Sequence, residues 1–489
     1  NNLLLSHINF LQDNDIGLVP ERRWLVALIA RLLRDCSVGA EEIEGVLLRL
    51  SRENGISKKL SKSITRLFLN KRINFDSLIE KLIADRMADQ TIKYDPRCEV
   101  KVRKIGNVTL LFNSLRADYI SVNQSNASKK QRVSLPYNPI ENNFLRIHKK
   151  FPRQRLLYLN IGGINTAINA QYMPQRFCNI LILPQIEKRL PQFIIPSAID
   201  IALNIIYLSS KNLAVAFNSW AAGASINHLH LQALELEDAL SLLELSDKRL
   251  LDEHGAVRVY RLTGYPLKAV LFESDNPSFL SQEAYIFLKC LQQNNVPHNL
   301  IIIKNKIYVV MRKPGNESRI AASVGWREVM GFFTVKTGDV FCSALRDADA
   351  IKDLEELDIG NKKFEEVLSA WRDKIGLASS SMDKVFETPL GIDVARSLEK
   401  LSFKNNVVLI DRQPSRGWDK ANKIAGYILN KRILIMSEQD GLIDNNSLMD
   451  ILGRQDVALI GVTDFEGYRR MERNIETAKK LNFIIACPD

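Results

Sequence analysis

The sequence has few of the residues that build disulfide frameworks or zinc knuckles. Its 489 residues contain six cysteines, with no C-x-x-C pair among them, and six histidines. Scattered cysteines of this kind are typical of free thiols in a reducing compartment. We therefore predict a cytoplasmic protein, and the sequence gives no reason to expect a metal ion or a bound cofactor.

Long apolar runs are also absent. No stretch reaches the roughly 18 apolar residues that a membrane-spanning helix needs, and Leu3, Leu4 and Leu5 lack the basic residues that begin a signal peptide. The chain has neither the G-x-x-x-x-G-K-[ST] phosphate loop nor a G-x-G-x-x-G turn after a strand. These absences predict no membrane span and argue against the common nucleotide-binding folds.

The net charge of +11 is concentrated in one segment. Residues 91–235 contain 18 Lys/Arg and 7 Asp/Glu, whereas the segments on either side are close to neutral. Such a local excess favours an anionic partner, either a phosphorylated metabolite or a nucleic acid. Four basic residues, Lys149, Lys150, Arg153 and Arg155, could contact RNA phosphates. No stacking aromatics alternate with them as in single-strand binders, so nucleic acid is the less favoured partner.

Hydrophobic periodicity divides the chain into three parts. Residues 1–90 read as helices, for example over 21–36 and over 41–55, where Gly55 is a suitable C-cap. Residues 91–372 combine strands and helices. Residues 385–489 alternate short apolar runs with helical stretches, which predicts a small parallel α/β domain after a linker near residues 378–381 or just after them.

A helix–strand–strand pattern occurs twice in the middle part. It is followed by His-Leu-His in the first half, residues 91–235, whereas the second half, residues 255–345, has Tyr-Val-Val. We interpret the repeat as a duplication in which only the first half carries chemistry. The predicted class is α+β, an antiparallel sheet with helices.

The candidate chemistry lies in the segment from Asn227 to Gln232. Alternate side chains of a strand share one face, so His228, His230 and Gln232 are predicted to point the same way. Neutral imidazole is a good nucleophile toward phosphorus, and a Gln amide can hydrogen-bond phosphoryl oxygens. Asn218 and Ser219, on the preceding strand, could reach the same site. Two histidines at this spacing could also bind zinc, although no third and fourth ligand is evident, or could be incidental.

The segment FNSWAAGASINHLHLQ resembles the H-x-H-x-Q segment of the GDP-hexose phosphorylases, which act on GDP-D-glucose or GDP-L-galactose. These enzymes belong to the histidine-triad superfamily, with galactose-1-phosphate uridylyltransferase and diadenosine tetraphosphate phosphorylase. Weaker similarities occur in the same order along about residues 91–372, namely YDPRCEVKV, LPYNPIENNF, MPQRFCNILILP, GYPLKAVLFES and GWREVMGFF. The resemblance thus implies a duplicated histidine-triad-like fold.

The resemblance also implies roles for individual residues. His230 would be the nucleophile, supported by His228 and Gln232. The family's phosphate or nucleotide contacts fall at three further residues, Asn113, Arg116 and Arg176, although both arginines could equally lie on a solvated face. The chain departs from the family at Cys178-Asn179 and at Gly331-Phe332, where Gly-His is usual. Residues 385–489 have no counterpart in the pattern.

The function implied is cleavage of a nucleoside-diphosphate sugar, GDP-hexose in the family, through a nucleotidyl-histidine. Hexose 1-phosphate would leave, and inorganic phosphate would accept the nucleotidyl group. Two alternatives stay open: a dinucleoside polyphosphate phosphorylase, and a nucleotide-sugar-binding regulatory protein without turnover. The sequence does not choose the base, the sugar or the acceptor. It also leaves the oligomeric state open, with a dimer among the options.

Overall fold

The structure is a computed structural model. It describes residues 38–54, 58–117, 131–236, 241–254, 256–315 and 317–386, together with four short strands nearer the C-terminus. The helix predicted over residues 21–36 and the cap predicted at Gly55 lie outside these ranges. The chain divides into two compact units, Asn1–Leu368 and Ser369–Asp489.

Three helices precede the sheet: α1 (Ala40–Asn54), α2 (Ser61–Leu69) and α3 (Phe75–Ala88), followed by the short α4 (Pro96–Glu99). Helix α3 begins where the Asn74 side chain accepts a hydrogen bond from the Ser77 amide at 2.9 Å, which satisfies one of the amides left free at a helix start. Helix α2 packs on the first strand of the large sheet, and Thr65 Oγ1 accepts the Asn160 amide at 2.8 Å. The helices therefore cover one sheet edge.

Ten strands form one antiparallel sheet. In chain order they are β3 (Arg155–Ile161), β4 (Ile164–Ala170), β5 (Ile180–Pro184), β6 (Leu213–Asn218), β7 (Leu231–Glu235), β8 (Asp247–His254), β9 (Val257–Thr263), β10 (Lys268–Glu273), β11 (His298–Ile303) and β12 (Lys306–Met311). Their order across the sheet is β3-β4-β5-β7-β6-β11-β12-β10-β9-β8. Strands β6 and β11 meet at the centre, with Ala216 opposite Ile301.

The sheet order reveals the duplication. Read from each edge inward, the first half is β3-β4-β5-β7-β6 and the second is β8-β9-β10-β12-β11. Each half places one helix between its third and fourth strands along the chain, α6 (Pro196–Leu208) and α8 (Pro277–Gln293). The two halves differ at one connection. Residues 219–230 join β6 to β7, whereas only Lys304 and Asn305 join β11 to β12. The second half therefore has no counterpart of the histidine segment.

The two faces of the large sheet are covered differently. Helices α6 and α8 pack against each other and against the central strands. On the other face, β1 (Lys101–Ile105), β2 (Val108–Phe112) and β13 (Phe332–Thr334) form a three-stranded sheet. Leu110, Phe333, Leu234 and Tyr308 belong to one buried apolar cluster between the two sheets. Burial of such side chains is the main source of stability here.

The remaining described helices lie around this sandwich. They are α5 (Phe144–Lys150), α7 (Leu242–Leu245), α9 (Trp326–Val329), α10 (Gly338–Cys342), α11 (Asp347–Glu355) and α12 (Gly360–Phe386). The helical stretch that starts at Asp347 is broken after Glu355, and Gly360 adopts a φ of 79° at the start of the next helix. Helix α12 runs through residues 378–381, the first of the two places predicted for the linker, and the residues after Phe386 lie outside the described ranges. Alanine and serine do not stop a helix as proline does.

In the second unit, four parallel strands form a separate sheet. They are β14 (Asn406–Asp411), β15 (Ile433–Ser437), β16 (Val457–Val462) and β17 (Ile484–Ile485), in the order β15-β14-β16-β17. All four coincide with predicted apolar runs; the helices predicted between them lie outside the described residues. Throughout the described chain, no helix is long and apolar enough to span a membrane.

Candidate functional site

The two histidines lie in the connection between β6 and β7, not on a strand. Strand β7 begins at Leu231, so of the three predicted side chains only Gln232 is on it. The reason is that the backbone before Leu231 finds other partners. The Leu229 amide donates to Leu190 O at 2.9 Å, and the His230 amide donates to the Gln192 side chain at 2.9 Å. The segment is held extended without belonging to the sheet.

One hydrogen bond determines the tautomer of His230. Its Nδ1 lies 2.9 Å from the carbonyl oxygen of His228. A carbonyl can only accept, so Nδ1 carries the hydrogen and Nε2 keeps a lone pair. Among the described residues, none hydrogen-bonds His230 Nε2. The nitrogen that could attack phosphorus is therefore unprotonated and unengaged.

The ring of His228 is engaged at both nitrogens. The Phe144 amide donates to Nδ1 at 3.3 Å, and Nε2 lies 3.1 Å from the Ile186 carbonyl, to which it donates. Both ring nitrogens are thus bonded to backbone, so the ring of His228 holds the histidine segment in place.

Burial keeps both imidazoles neutral. Desolvation lowers the pKa of His230 to about 4, although its bond to His228 acts in the opposite direction. The pKa of His228 is likewise lowered to about 4, chiefly by burial, with smaller contributions from His230 and His148. The ring of Phe144 lies over both, with centroids 5.1 Å from His230 and 5.8 Å from His228. Both rings are uncharged at neutral pH.

Gln232 and Asn218 share a neighbour, Trp326, from the second half of the chain. The indole Nε1 donates to Gln232 Oε1 at 3.0 Å, and the Trp326 backbone amide donates to Asn218 Oδ1 at 2.9 Å. Asn299 Nδ2 also donates to Asn218 Oδ1, at 2.7 Å. Gln232 and Ala216 are opposite each other in the sheet, and Asn218 follows Ala216 by two residues. The two amides therefore lie on the same sheet face.

Of the other four predicted residues, three bond to groups of the fold and the fourth, Arg176, lines a pocket. Ser219 Oγ accepts the His298 amide at 3.0 Å, and Asn113 Oδ1 accepts the Arg116 amide at 2.9 Å. Both side chains are therefore used within the fold. Arg116 donates to the Met173 carbonyl. Arg176 lines a pocket together with Trp326, and the other lining residues include Arg327 and Phe332. The structure thus places Arg176 near Trp326.

Sequence reasoning missed three residues that build the site. Gln192 Nε2 donates to Asn218 O at 2.9 Å and to His230 O at 3.2 Å, while Gln192 Oε1 accepts the His230 amide. Phe144 bonds His228 as described above, and Trp326 holds the two amides. The LPYNPIENNF and GWREVMGFF similarities do contain Phe144 and Trp326. No sequence signal pointed to Gln192.

Both departures from the family pattern begin at a residue with a positive φ angle. Cys178 has a φ of 60°, a conformation that glycine adopts at lower cost. Next to it, Asn179 Nδ2 donates to Ala233 O at 3.2 Å, which ties it to β7. Gly331 has a φ of 96°, and a Cβ there would come within 2.8 Å of Leu242. The following residue, Phe332, lines the pocket that contains Arg176.

No group of three or more His, Cys, Asp or Glu side chains in the described ranges could hold a metal ion. The third and fourth ligands that a zinc site would need beside His228 and His230 are not seen in those ranges.

Two family models match this chain and together cover more than half of it. The model described as "GDPGP1-like, N-terminal domain" matches residues 74–234, and "GDPGP1-like, C-terminal domain" matches residues 242–376. The chain belongs to the GDP-hexose phosphorylase family. The second model includes the half that lacks the His-Leu-His segment, so membership of this family rests on both halves.

Curated members of the GDP-hexose phosphorylase family are similar at moderate identity. GDP-L-galactose phosphorylase 1 of Arabidopsis thaliana is 26% identical over 233 residues, 44% of this chain and 52% of the relative. GDP-D-glucose phosphorylase 1 of Macaca fascicularis is 29% identical over 182 residues, 35% of this chain and 45% of the relative. The chain thus spans about half the length of the curated relatives it matches.

A solved structure, yeast Ap4A phosphorylase Apa2 in complex with Ap4A, is a more distant likeness. It is 13% identical, covers 59% of this chain and 99% of its own, and superposes with a TM-score of 0.42.

Proposed function

We propose that this protein is a nucleotidyl transferase that cleaves a GDP-hexose by phosphorolysis, with His230 as the nucleophile. The observation that carries the proposal is the tautomer of His230: Nδ1–H is held by the His228 carbonyl, and Nε2 is left with a lone pair. Family membership supports the nucleotide sugar and inorganic phosphate as substrates.

In the first step, His230 Nε2 attacks the α-phosphorus of the nucleotide sugar. The new N–P bond forms as the bond from the α-phosphorus to the bridging oxygen breaks, and hexose 1-phosphate leaves with that oxygen. The imidazole becomes positively charged, which strengthens the bond from Nδ1–H to the His228 carbonyl. A covalent intermediate of this kind divides one displacement into two easier ones.

In the second step, an oxygen of inorganic phosphate attacks the same phosphorus. The N–P bond breaks, the nucleoside diphosphate is released, and His230 returns to its starting tautomer. No proton has to leave Nδ1 at any point. The neutral state of His230 suits this chemistry, because a protonated Nε2 has no lone pair to donate.

Two amide groups are suited to the oxygens on the reacting phosphorus. Gln232 Oε1 and Asn218 Oδ1 are both occupied by donors, so each side chain has its NH₂ group left to donate. Within the described residues, neither NH₂ has a hydrogen-bond partner. A nitrogen lone pair and two amide donors match an electrophilic phosphorus whose two non-bridging oxygens share a negative charge that grows on attack.

The test is to incubate the full chain with GDP-glucose, GDP-galactose and GDP-mannose, with and without inorganic phosphate. We expect GDP, and repeated turnover, only when phosphate is present; without phosphate, each protein molecule should release a single equivalent of hexose 1-phosphate. With substrate labelled at the α-phosphate and phosphate omitted, label should remain on the protein through an acid-labile bond. His230→Ala should remove both the label and the turnover.

The matched control is His254→Ala, which removes a histidine on the far edge strand β8 and should leave turnover unchanged. Near-normal turnover by His230→Ala would rule out the nucleophile. Cleavage of dinucleoside polyphosphates in place of GDP-hexoses would support the first alternative, a dinucleoside polyphosphate phosphorylase. Binding of a GDP-hexose without any labelling would favour a regulatory protein.

A further inference from the structure

We infer that Trp326 is a positioning residue for the proposed reaction, and that the second half of the chain contributes to the site through it. This inference rests on the proposed function. Trp326 is buried at the start of α9, and its ring and backbone nitrogens reach two different amides on the first half of the sheet. The duplicated half, which lacks the His-Leu-His segment, would thus still take part in the reaction.

The indole determines which way the Gln232 amide faces. An indole N–H can only donate, so the atom 3.0 Å away must be the oxygen of Gln232 and not its nitrogen. With Oε1 held on the Trp326 side, Nε2 must point away from the indole. Without this bond the amide could turn by half a rotation and present its oxygen, which repels a phosphoryl oxygen.

The backbone amide of Trp326 acts in the same way on Asn218. It donates to Asn218 Oδ1 at 2.9 Å, and Asn299 Nδ2 donates to the same oxygen at 2.7 Å. Two donors on one oxygen leave Asn218 Nδ2 as the outward group. This contact depends on the backbone only, so it persists when the side chain of Trp326 is changed.

Helix α9 is also anchored independently of the indole. Glu328 Oε2 accepts the Gly325 amide at 2.9 Å, and Tyr265 Oη donates to the Val329 carbonyl at 2.5 Å. Substitution of the indole alone should therefore leave the helix in place. Tyr265→Phe supplies a matched control, because it removes a hydrogen bond to the same helix without touching Gln232.

The experiment measures kcat and KM for phosphorolysis of the best GDP-hexose by Trp326→Phe. Phenylalanine keeps an aromatic ring in the site but lacks the N–H. Loss of a single transition-state donor typically lowers kcat by about 10²–10³-fold, and we expect about a tenfold fall because the amide is disordered and not removed. KM should change little, since the hydrogen bond from Gln232 Nε2 to the phosphoryl oxygen forms chiefly in the transition state. Tyr265→Phe should keep its kcat.

A double-mutant cycle with Gln232→Ala decides between positioning and general loosening. In the Gln232→Ala background, Trp326→Phe should have almost no further effect on kcat. An equal fall in both backgrounds, or a similar fall in Tyr265→Phe, would overturn the inference. Failure of the proposed function is seen separately, as a wild-type protein that forms no labelled intermediate.

Discussion

The backbone carbonyl of His228 accepts a hydrogen bond from Nδ1 of His230 at 2.9 Å. The two histidines therefore contribute in different ways. His230 presents a ring nitrogen, whereas His228 presents a main-chain oxygen and uses its own ring to anchor the segment to Phe144 and Ile186. Replacing the side chain of His228 leaves its carbonyl in the chain but removes that anchor.

This difference predicts unequal effects of two alanine substitutions. His228→Ala should lower kcat by about 10–100-fold, because the loosened segment no longer holds His230 Nε2 in line with the α-phosphorus. The labelled nucleotidyl-protein should still form, only more slowly. His230→Ala should form none. Rapid-quench measurement of the labelled fraction tests both, and complete loss of labelling in a folded His228→Ala protein would show that its ring takes part directly.

Gln192 should be as important for stability as for activity. Its carboxamide pairs with both the N–H and the C=O of His230 and also with the Asn218 carbonyl. Gln192→Met fills similar space but leaves these buried groups without partners, each at a cost of about 1–3 kcal/mol. We expect the free energy of unfolding to fall by about 3 kcal/mol, and kcat to fall with it, as measured by urea denaturation and steady-state kinetics.

The control for this prediction is Gln292→Met. Gln292 is also a buried glutamine, but its Nε2 donates to the Ile194 carbonyl, at 3.2 Å, and among the described residues its carboxamide makes no hydrogen bond to the histidine segment. Its loss should cost about 1 kcal/mol and leave kcat unchanged. If the two variants behave alike in both assays, Gln192 has no special relation to His230.

Much of the fold could be predicted because its strands are short, apolar and bounded by polar turns. The predicted runs at β2, β3, β5 and β11 coincide with strands, and all four C-terminal strands were found. The duplication could also be inferred, since a helix followed by two strands repeats in order. Patterns of this kind depend on neighbours along the chain, which a single sequence displays.

The site could be predicted only in part, because its geometry depends on distant partners. The alternation from His228 to Gln232 predicted a strand, yet the His230 amide pairs with a side chain 38 residues away. Trp326 lies 94 residues from Gln232, the residue that it orients. Single-sequence periodicity carries no information on such contacts. The motif therefore singled out these side chains but carried no information on the main-chain contact of His228.

Acid should destabilise the protein well above the pH at which carboxylates titrate. Burial lowers the pKa of four histidines to about 4: His148, His228, His230 and His298. In the unfolded chain histidine titrates near about 6.5. Between these values the unfolded state binds more protons, so the stability is fully present above about 6.5 and falls as the pH drops, by about 1.4 kcal/mol per pH unit for each histidine.

Urea denaturation at a series of pH values between about 7.5 and about 5 measures this slope. His298 lies outside the candidate site, and its Nδ1 donates to the Val296 carbonyl at 2.9 Å. His298→Gln should therefore lower the change in unfolding free energy per pH unit by the contribution of one histidine, and it should leave turnover unchanged. A free energy of unfolding that stays constant over this range would show that the four rings are not buried in neutral form.

Removal of the C-terminal sheet should leave the chemistry intact. The residues assigned to the site lie between Asn113 and Trp326, all in the first compact unit. A chain that ends after Phe386 keeps helix α12 whole and lacks β14 to β17. We expect it to form the labelled intermediate with an unchanged kcat. If the shortened protein is folded by circular dichroism yet forms no intermediate, the second unit supplies part of the site.

The positive charge of residues 91–235 should speed substrate capture more than chemistry. Exposed charges act through a field that salt screens, over about 30 Å at 0.01 M but about 3 Å at 1 M ionic strength. Raising the salt concentration should therefore lower kcat/KM, provided association limits it, and affect kcat much less. Of the four basic residues singled out, Arg153 bonds Asp89 at 3.0 Å and Arg155 lies over the Tyr158 ring.

Lys149 and Lys150 are exposed, so their reversal tests the field most directly. The double change to Glu should lower kcat/KM at low salt, flatten its dependence on salt and leave kcat alone. The double change to Gln should give about half the effect, because it removes the two charges without reversing them. If neither variant changes kcat/KM, these lysines serve another partner. Titration with a short single-stranded RNA would then distinguish nucleic acid from a protein surface, because phosphate contacts give binding a steep salt dependence.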